Sequence, residues 1–462
     1  MLQKFIGDRA FYRRVIAVAL PILIQNGIAN FVSLLDNIMV GQVGTLQMSG
    51  VSIVNQLLFV FNLCIFGATS GAGIFTAQFH GCRDVDGVRN TFRFKILIGS
   101  LITLLGIGIF LTLDIPLIQM YLTGEGDPAD AQGILGFGQD YLMVMLWGLP
   151  AFALSNAYAS TLRESGQTVV PMVSSITAVF VNLGLNYVLI FGHFGLAPMG
   201  VAGAALATVI ARYVEFAIVA AWTHVYGKKM SFIQGAYRSM RIPGALFWRI
   251  VRKGIPLLIN EALWSTGMVI MNQCYSTKGL DVVPALNIST TIYNLASVVY
   301  VALGSAVGIL IGQMLGAGEP EEKVRAEDRK LIFTSVIACI VFAVITAAIS
   351  GVFPRLYNTS DSVRTLATQL ICISALFMPF NAYTHATYFT LRSGGQALVT
   401  FLFDSCFVWT ICVPLALVLT KLTPISILWL YFICQGLDLV KCGIGAFMLK
   451  KGKWIQNLTT LS

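Results

Sequence analysis

Twelve predominantly apolar stretches follow one another along the 462-residue chain, each close to the ~20 residues that an α-helix needs to cross a ~30 Å hydrocarbon core. Hydrophobic residues make up 56% of the sequence and charged residues 11%, far from the balance of a soluble globular protein. The stretches are too long and too uniformly apolar for the alternating strands of an outer-membrane barrel. We therefore predict an all-α polytopic membrane protein. Its twelve spans are expected near residues 14–38, 50–77, 93–113, 136–159, 168–191, 200–223, 247–273, 284–312, 330–352, 366–390, 397–419 and 425–448.

The basic residues are divided unequally between the two sides of the predicted spans. Of the 30 Lys and Arg residues, 24 lie in segments on one side, four on the other side and two within spans. Because cytoplasmic loops of membrane proteins carry the excess of Lys and Arg, both termini are predicted to lie in the cytoplasm of a multi-pass protein of the cell membrane. The net charge of +9 therefore indicates topology and contact with anionic membrane lipids, and it requires no nucleic acid partner.

The sequence is duplicated. An offset of 235 residues superposes Pro21 on Pro256, Asn37 on Asn272, Ser70 on Ser305, Gln78 on Gln313 and Gly81 on Gly316. An offset of 229 lays "LRESGQ" (162–167) on "LRSGGQ" (391–396).

Each half therefore carries six spans, and an even number gives both halves the same orientation in the membrane. We predict two six-helix bundles, 1–224 and 247–462, related by a pseudo-twofold axis along the membrane normal. Residues 225–246 are predicted to form a cytoplasmic linker that lies on the membrane. Such a pair of bundles suits alternating access in a transporter, although duplicated helical bundles also occur in channels and scaffolds.

Seven ionisable side chains of the predicted spans are candidates for ion pairing or ion coupling: Asp36, Arg212, Glu215, Glu261, Asp404, Asp438 and Lys441. Arg212 and Glu215, and likewise Asp438 and Lys441, are spaced i, i+3, so each pair is expected to neutralise itself on one helix face near the bundle surface. Asp404 lies near the cytoplasmic end of its span, where water can reach it.

The other two acids, Asp36 and Glu261, have no local basic partner. Burial of an unpaired carboxylate favours its neutral form, so such a group can carry a proton, or its oxygens can bind a hard cation such as Na⁺. Each can equally be an uncharged, hydrogen-bonded structural group. Asn182 and Asn186, one helical turn apart, form either a cation site or a polar packing seam, and Thr208 adds a hydroxyl.

Nothing in the sequence indicates covalent chemistry. The four histidines are dispersed, and the sequence contains no phosphate-binding loop with a GK[ST] signature. The nine cysteines are scattered without a CxxC pair, which favours neither a disulfide framework nor a zinc site. We expect that the protein is not an enzyme and needs no cofactor.

Several segments of the chain carry a resemblance to a known family. They are "LLDNIMVGQVG" (34–44), the repeated pair "GATSGAGIFTAQFHG" (67–81) and "LGSAVGILIGQMLGAG" (303–318), "TLRESGQ" with "TLRSGGQ", and "VNLGLNYVLIFGHFGLAPMGVAGAALAT" (181–208). Together they resemble the MATE (multidrug and toxic compound extrusion) transporters over nearly the whole chain. The resemblance implies two six-helix lobes arranged as a V around a central cavity. It also implies export of amphipathic, often cationic compounds in exchange for protons or Na⁺.

The resemblance also assigns roles by position. Asp36 matches the first-helix acid of ion coupling, and Pro21 matches the proline at which that helix is proposed to bend. Asn182, Asn186 and Thr208 match polar groups that complete a cation site, so Asp36, Asn182 and Asn186 form a candidate Na⁺ site. Some members carry Asp where this chain has Asn186. The asparagine gives the candidate Na⁺ site of this chain one negative charge fewer. We therefore expect proton coupling, with Na⁺ open.

Glu261 resembles an ion-coupling acid found in the seventh helix of another branch. That branch's acid in the tenth helix is absent here, where Asn381 and His385 occur instead. The candidate residues of the substrate cavity are five polar side chains: Gln25, Asn37, Asn156, Asn381 and His385.

The sequence thus predicts a secondary antiporter, active as a monomer, that exports amphipathic organic cations by alternating access. The alternative is a flippase or exporter of lipid-linked or amphipathic metabolites from the same superfamily. Such proteins tend to need a cationic cavity, whereas the unpaired charges in these spans are acidic. A third class, a passive channel or scaffold, would show no dependence on an ion gradient.

Overall fold

The computed structural model describes residues 5–122, 128–228, 230–357 and 359–460, and within these ranges it leaves out the side chains of Leu34, Asn37, Ile38 and Pro128. Over the described residues the fold is entirely helical, with no β-strand. Among the described residues, twelve helical segments are long and apolar enough to cross a membrane, as the sequence predicts. The helices are α1 (Arg9–Gly41), α2 (Thr45–Gly81), α3 (Val85–Gln119), α4 (Pro128–Met145), α5 (Leu149–Glu164), α6 (Val169–Phe191), α7 (Gly200–Val225), α8 (Gly244–Ser276), α9 (Val282–Gly316), α10 (Glu321–Ile349), α11 (Asp361–Ser393), α12 (Ala397–Phe401), α13 (Val413–Leu422) and α14 (Ile427–Lys451).

Two of the spans are built from more than one helical piece. A 3₁₀ turn, Leu146–Gly148, joins α4 to α5. Between α12 and α13 the chain makes two π-helical turns, Leu402–Cys406 and Val408–Cys412. π-Helical turns are uncommon and occur frequently at functional positions. The first of them carries Asp404.

Helix α1 is continuous through Pro21 and belongs to both compact units of the chain. Unit 1 comprises Met1–Leu23, Ala77–Arg83 and Arg252–Ser462, and unit 2 comprises Ile24–Thr76 and Asp84–Val251. The division of α1 after Leu23 falls two residues beyond its proline, where a backbone hydrogen bond of the helix is missing. The domain boundaries at 224 and 247 stay a prediction.

The linker of unit 2 packs against α3. The backbone carbonyls of Gly235 and Ala236 accept hydrogen bonds from Arg93 at 2.9 and 2.8 Å, and that of Phe232 accepts one from Arg89 at 3.2 Å. Phe232 and Ala236 are buried. The linker is therefore docked on the helices of its own unit, a contact that its prediction as a membrane-surface segment did not anticipate.

Within unit 1, the last turns of α2 and α9 cross through repeat-equivalent residues. A Cβ atom on Gly81 would collide with the backbone of Gln313, and a Cβ atom on Gly316 would collide with the backbone of Gln78. Gln78 and Gly81 correspond to Gln313 and Gly316 at the 235-residue offset, so the contact is self-complementary, as at a twofold interface. The internal repeat therefore forms a local pseudo-twofold contact that only glycine permits.

We expect Gly316→Ala to destabilise the protein by ~1–3 kcal/mol, because the added methyl group must displace packed backbone. The apparent melting temperature in detergent, followed by tryptophan fluorescence, measures this loss. Gly108→Ala in α3 is the matched control, since no atom lies within 4 Å of its added Cβ and alanine favours the helix. Equal melting temperatures for the two variants would refute the close crossing.

Candidate functional site

A cavity of ≈ 530 Å³ lies inside unit 2, among α1, α2, α4, α6 and α7. Its volume is within the range of ~300–1,000 Å³ that holds drug-sized ligands. The wall combines apolar side chains such as Val32 and Phe59 with a concentrated set of polar groups. These polar residues are Ser33, Asp36, Ser52, Asn55, Asn62, Tyr141, Ser175, Asn182, Asn186, Thr208, Arg212 and Glu215. The cavity is thus amphipathic, with acidic and basic groups in one wall.

Helical spacing and close packing bring Asn182, Asn186 and Thr208 together. The two asparagines are four residues apart on α6, so they share one helix face, and both are buried. On α7, the small residues of "GVAGAALA" (200–207) let the helix approach α6 so closely that a Cβ atom on Gly203 would collide with the backbone of Leu189. The Nδ2 atom of Asn182 lies 3.2 Å from the Thr208 hydroxyl oxygen across this contact.

Asp36 projects from α1 against these amides. The Nδ2 atom of Asn186 donates a hydrogen bond of 2.8 Å to Asp36 Oδ1 and lies 3.2 Å from Asn182 Oδ1. Among the described residues, no Lys, Arg or His forms a salt bridge with Asp36. The structure therefore leaves this partly buried carboxyl group without a fixed counter-charge, as the sequence predicts.

The Asn182 amide can serve Asp36 in either of its charge states. With the amide oxygen directed to Asp36, the short separation between the two oxygen atoms suits a neutral carboxyl group that donates its proton to Asn182 Oδ1. With amide oxygen and nitrogen exchanged, the nitrogen lies 3.0 and 2.9 Å from the two Asp36 oxygens, and the amide oxygen accepts from Thr208 at 3.2 Å. The second arrangement suits the charged carboxylate, and it also places the Asn182 nitrogen 3.2 Å from the Asn186 nitrogen, which is a second donor.

The same residues fit Na⁺ less directly. The amide nitrogen of Asn186, a donor, occupies the side of Asp36 where a cation would need an oxygen. The Asn186 Oδ1 atom is buried and has no hydrogen-bond partner among the described residues. A Na⁺ ion at Asp36, Asn182 and Asn186 would therefore require the Asn186 amide to turn. In the described part of the chain, no three His, Cys, Asp or Glu residues are grouped to hold a metal ion.

Arg212 and Glu215 lie in the cavity wall, although the sequence indicated a structural pair near the bundle surface. They do form an ion pair, with 3.4 Å between Arg212 Nη1 and Glu215 Oε2. Thr208, Arg212 and Glu215 follow the i, i+4, i+7 spacing of one helix face, so this face was available as a signal. Tyr141 and Asn55, joined by a hydrogen bond of 3.3 Å, carried no such signal.

Five other predicted site residues do not line this cavity. Glu261 belongs to unit 1, where Tyr388 donates a hydrogen bond of 3.4 Å to its Oε1 atom. In the same unit, the amide of Asn381 donates to the Phe377 carbonyl, and His385 packs edge-on to Tyr300 with 4.8 Å between ring centroids.

The other two, Gln25 and Asn156, have separate surroundings. Gln25 is partly buried in α1, beyond Pro21. The Oδ1 atom of Asn156 accepts a hydrogen bond of 3.3 Å from Thr69. Asn37 lies in α1, and its side chain is outside the described residues. The roles of these residues in substrate binding and coupling stay predictions.

Lys441 pairs with a different acid from the predicted one. Its Nζ atom lies 2.5 Å from Asp404 Oδ1, and Asn260 Nδ2 donates to Asp404 Oδ2 at 3.1 Å. The interpretation of Asp404 as a water-exposed group was wrong. Only 16% of its side chain is exposed, and its carboxylate is bound by Lys441 and Asn260. The reason is tertiary: the π-helical turn carrying Asp404 packs beside α14, a contact that sequence spacing does not contain.

In the part of the chain that the structure describes, twelve helices able to cross a membrane and a ligand-sized cavity whose carboxyl group has no basic partner are features of a membrane transporter. The chain belongs to the MATE family, since the MatE family profile matches residues 21–188 and 256–418. This confirms the resemblance seen in the sequence.

Two curated relatives and a solved structure show how far the similarity extends. The "Probable multidrug resistance protein NorM" of Thermotoga maritima is 26% identical over 456 residues, covering 96% of this chain and 93% of the relative. The "Probable multidrug resistance protein YoeA" of Bacillus subtilis is 24% identical over 422 residues, covering 90% of this chain and 89% of the relative. A solved structure of a multidrug resistance MATE family transporter in an outward-facing conformation superposes with a TM-score of 0.85 at 17% identity, covering 98% of each chain.

Proposed function

We propose that this chain is a secondary antiporter that exports amphipathic organic cations in exchange for protons by alternating access. The observation that carries the proposal is the Asp36 carboxyl group, which lies in the wall of a ≈ 530 Å³ cavity with amides for partners. The family assignment supports the transport class, and the relatives named as multidrug resistance proteins support organic compounds as cargo. We further propose that the protein acts as a monomer in the cell membrane, with both termini in the cytoplasm.

In the proposed cycle, a proton and the substrate compete for Asp36. The charged carboxylate attracts a cation into the cavity, and protonation removes that attraction and releases the cation. Because a buried charge without a counter-ion is costly, Asp36 is occupied by either a proton or a cation. Pro21 is proposed as the hinge of α1, since the two parts of the helix on either side of Leu23 belong to different compact units.

The charge of the cavity favours a cationic cargo over a phosphate-bearing lipid. Asp36 and Glu215 are acidic and Arg212 is basic, so two acids face one base among the described residues of the wall. A flippase for anionic lipid-linked substrates would need the opposite balance. We therefore place lipid-linked cargo second.

Transport of ethidium into proteoliposomes tests the proposal. Ethidium is a permanent cation, so its distribution does not follow a pH gradient through its own protonation. We expect it to accumulate when the lumen is more acidic than the bath, because protons leave as the dye enters. A Na⁺ gradient alone is expected to leave accumulation at the level of protein-free vesicles.

Two other outcomes would change the assignment. Accumulation driven by Na⁺ and not by protons would replace the proton with Na⁺ as the coupling ion. Equilibration of ethidium without dependence on either gradient would indicate a passive pathway and overturn the antiport proposal.

A further inference from the structure

The guanidinium group of Arg212 has unused hydrogen-bonding capacity inside the cavity. It carries five N–H donors, and the one ion pair recorded for it within the described chain is the 3.4 Å contact to Glu215. Its ring contact places the guanidinium carbon 4.9 Å from the centroid of Phe152. The side chain is 39% exposed, and it lines both the main cavity and an adjoining recess of ≈ 30 Å³. Among the described residues, its only hydrogen bond is the one to Glu215, and the group lies in the cavity wall where a ligand can reach it.

The repeat-equivalent basic residue in the other half of the chain has its charge fully paired, unlike Arg212. At the 229-residue offset, Arg212 corresponds to Lys441. The Lys441 ammonium lies 2.5 Å from Asp404, and the residue is 9% exposed. Lys441 is thus neutralised by its own helices, whereas Arg212 is held loosely by an acid at long distance and remains accessible.

The arrangement of charges in the cavity complements a molecule with two opposite charges. Asp36 and Glu215 provide the positions for an amine or other cation. Arg212 provides the position for an anion, and its planar fork matches a carboxylate in a bidentate geometry. Phe152 beneath the guanidinium holds the fork in place and supplies an apolar surface beside it.

We propose that Arg212 is a specificity-determining residue that binds the carboxylate of substrates carrying both a cationic amine and a carboxylate. The inference rests on the proposed function, because it takes the cavity of unit 2 as the binding site. It adds that the Arg212–Glu215 ion pair opens to receive the carboxylate of such a ligand. Glu215 then competes with the ligand carboxylate for the same guanidinium.

A matched pair of dyes tests this assignment. Rhodamine 110 carries a free carboxylate beside its cationic ring system, and rhodamine 123 is its methyl ester, which lacks that negative charge. Fluorescence polarisation of each dye with purified protein in detergent gives two dissociation constants without any ion gradient. The measured quantity is the ratio of the two constants, so effects common to both dyes cancel.

Opposite changes are expected in two variants. Arg212→Gln is expected to weaken the binding of rhodamine 110 relative to that of rhodamine 123 by about tenfold, because a hydrogen bond between charged groups is lost. Glu215→Gln is expected to change the ratio in the other direction by about threefold, because the competing acid is removed. Arg212→Lys, which keeps the charge and loses the planar fork, is expected to lie between the wild type and Arg212→Gln.

The result is decisive in each case. A ratio that stays within twofold in both Arg212→Gln and Glu215→Gln would overturn the proposal, and so would a wild-type protein that binds neither dye. If Arg212→Gln does not fold, the changes in Glu215→Gln and Arg212→Lys decide. Failure of antiport would be seen separately, as ethidium transport that ignores the pH gradient while the dye ratio still responds to Arg212.

Discussion

Asp36→Asn is expected to reduce proton-driven ethidium accumulation to the level of protein-free vesicles. The substitution keeps the size of the side chain and its capacity to hydrogen-bond Asn186, whereas it removes the group that gains and loses a proton. It also removes a partly buried charge that has no basic partner among the described residues, so stability is expected to be unchanged or higher. Accumulation under an acidic lumen measures the first effect, and the melting temperature in detergent measures the second.

Asp36→Glu is the matched control, since it retains an ionisable carboxyl group at the same position of α1. We expect it to keep a measurable part of the pH-driven transport, reduced because the longer side chain shifts its oxygens from Asn186 and Asn182. If Asp36→Asn transported ethidium as fast as the wild type under the same gradient, Asp36 would not be the coupling group. The coupling acid would then have to be sought elsewhere, first at Glu261.

Local rules identified the separate components of the Asp36 site, and the family resemblance suggested that they belong together. An acid without a base within helical reach, and two asparagines one turn apart, are visible in the order of residues. The twelve spans follow from the length of the apolar runs, and the duplication follows from direct comparison of the two halves.

Other features depend on which helices meet, and spacing along the chain does not contain that information. Tyr141 and Asn55 join α4 to α2 across the cavity, and neither lies beside a distinctive motif. Lys441 has an acid three residues away in sequence, yet it bonds to Asp404 from another helix. A local rule gave the wrong partner there because Asp404 lies 2.5 Å from the lysine Nζ atom, whereas Asp438 is not within salt-bridge distance of it. The crossing of Gly81 and Gly316 is similar: the repeat identified the glycines, and their reciprocal contact required the fold.

Replacement of Lys441 by methionine is expected to cause a large loss of stability. The change leaves the Asp404 carboxylate with Asn260 as its remaining described hydrogen-bond partner, in a setting where 16% of the side chain is exposed. Removal of one member of a buried ion pair typically costs ~3–5 kcal/mol, because the other charge stays desolvated. A clear fall in the apparent melting temperature in detergent is the expected reading.

The double variant Lys441→Met with Asp404→Asn separates the cost of an orphaned charge from the value of the pair. Since both charges are then absent and Asn260 can still bond to the new amide, we expect most of the lost stability to return. Lys323→Met is the control for loss of a lysine as such. Its ion pair with Glu319 is surface-exposed, with 57% of the lysine side chain accessible, and is worth at most ~1 kcal/mol. If the double variant melted no higher than Lys441→Met, lost packing around the lysine stem would account for the effect, and Asp404 would have to be neutral without its partner.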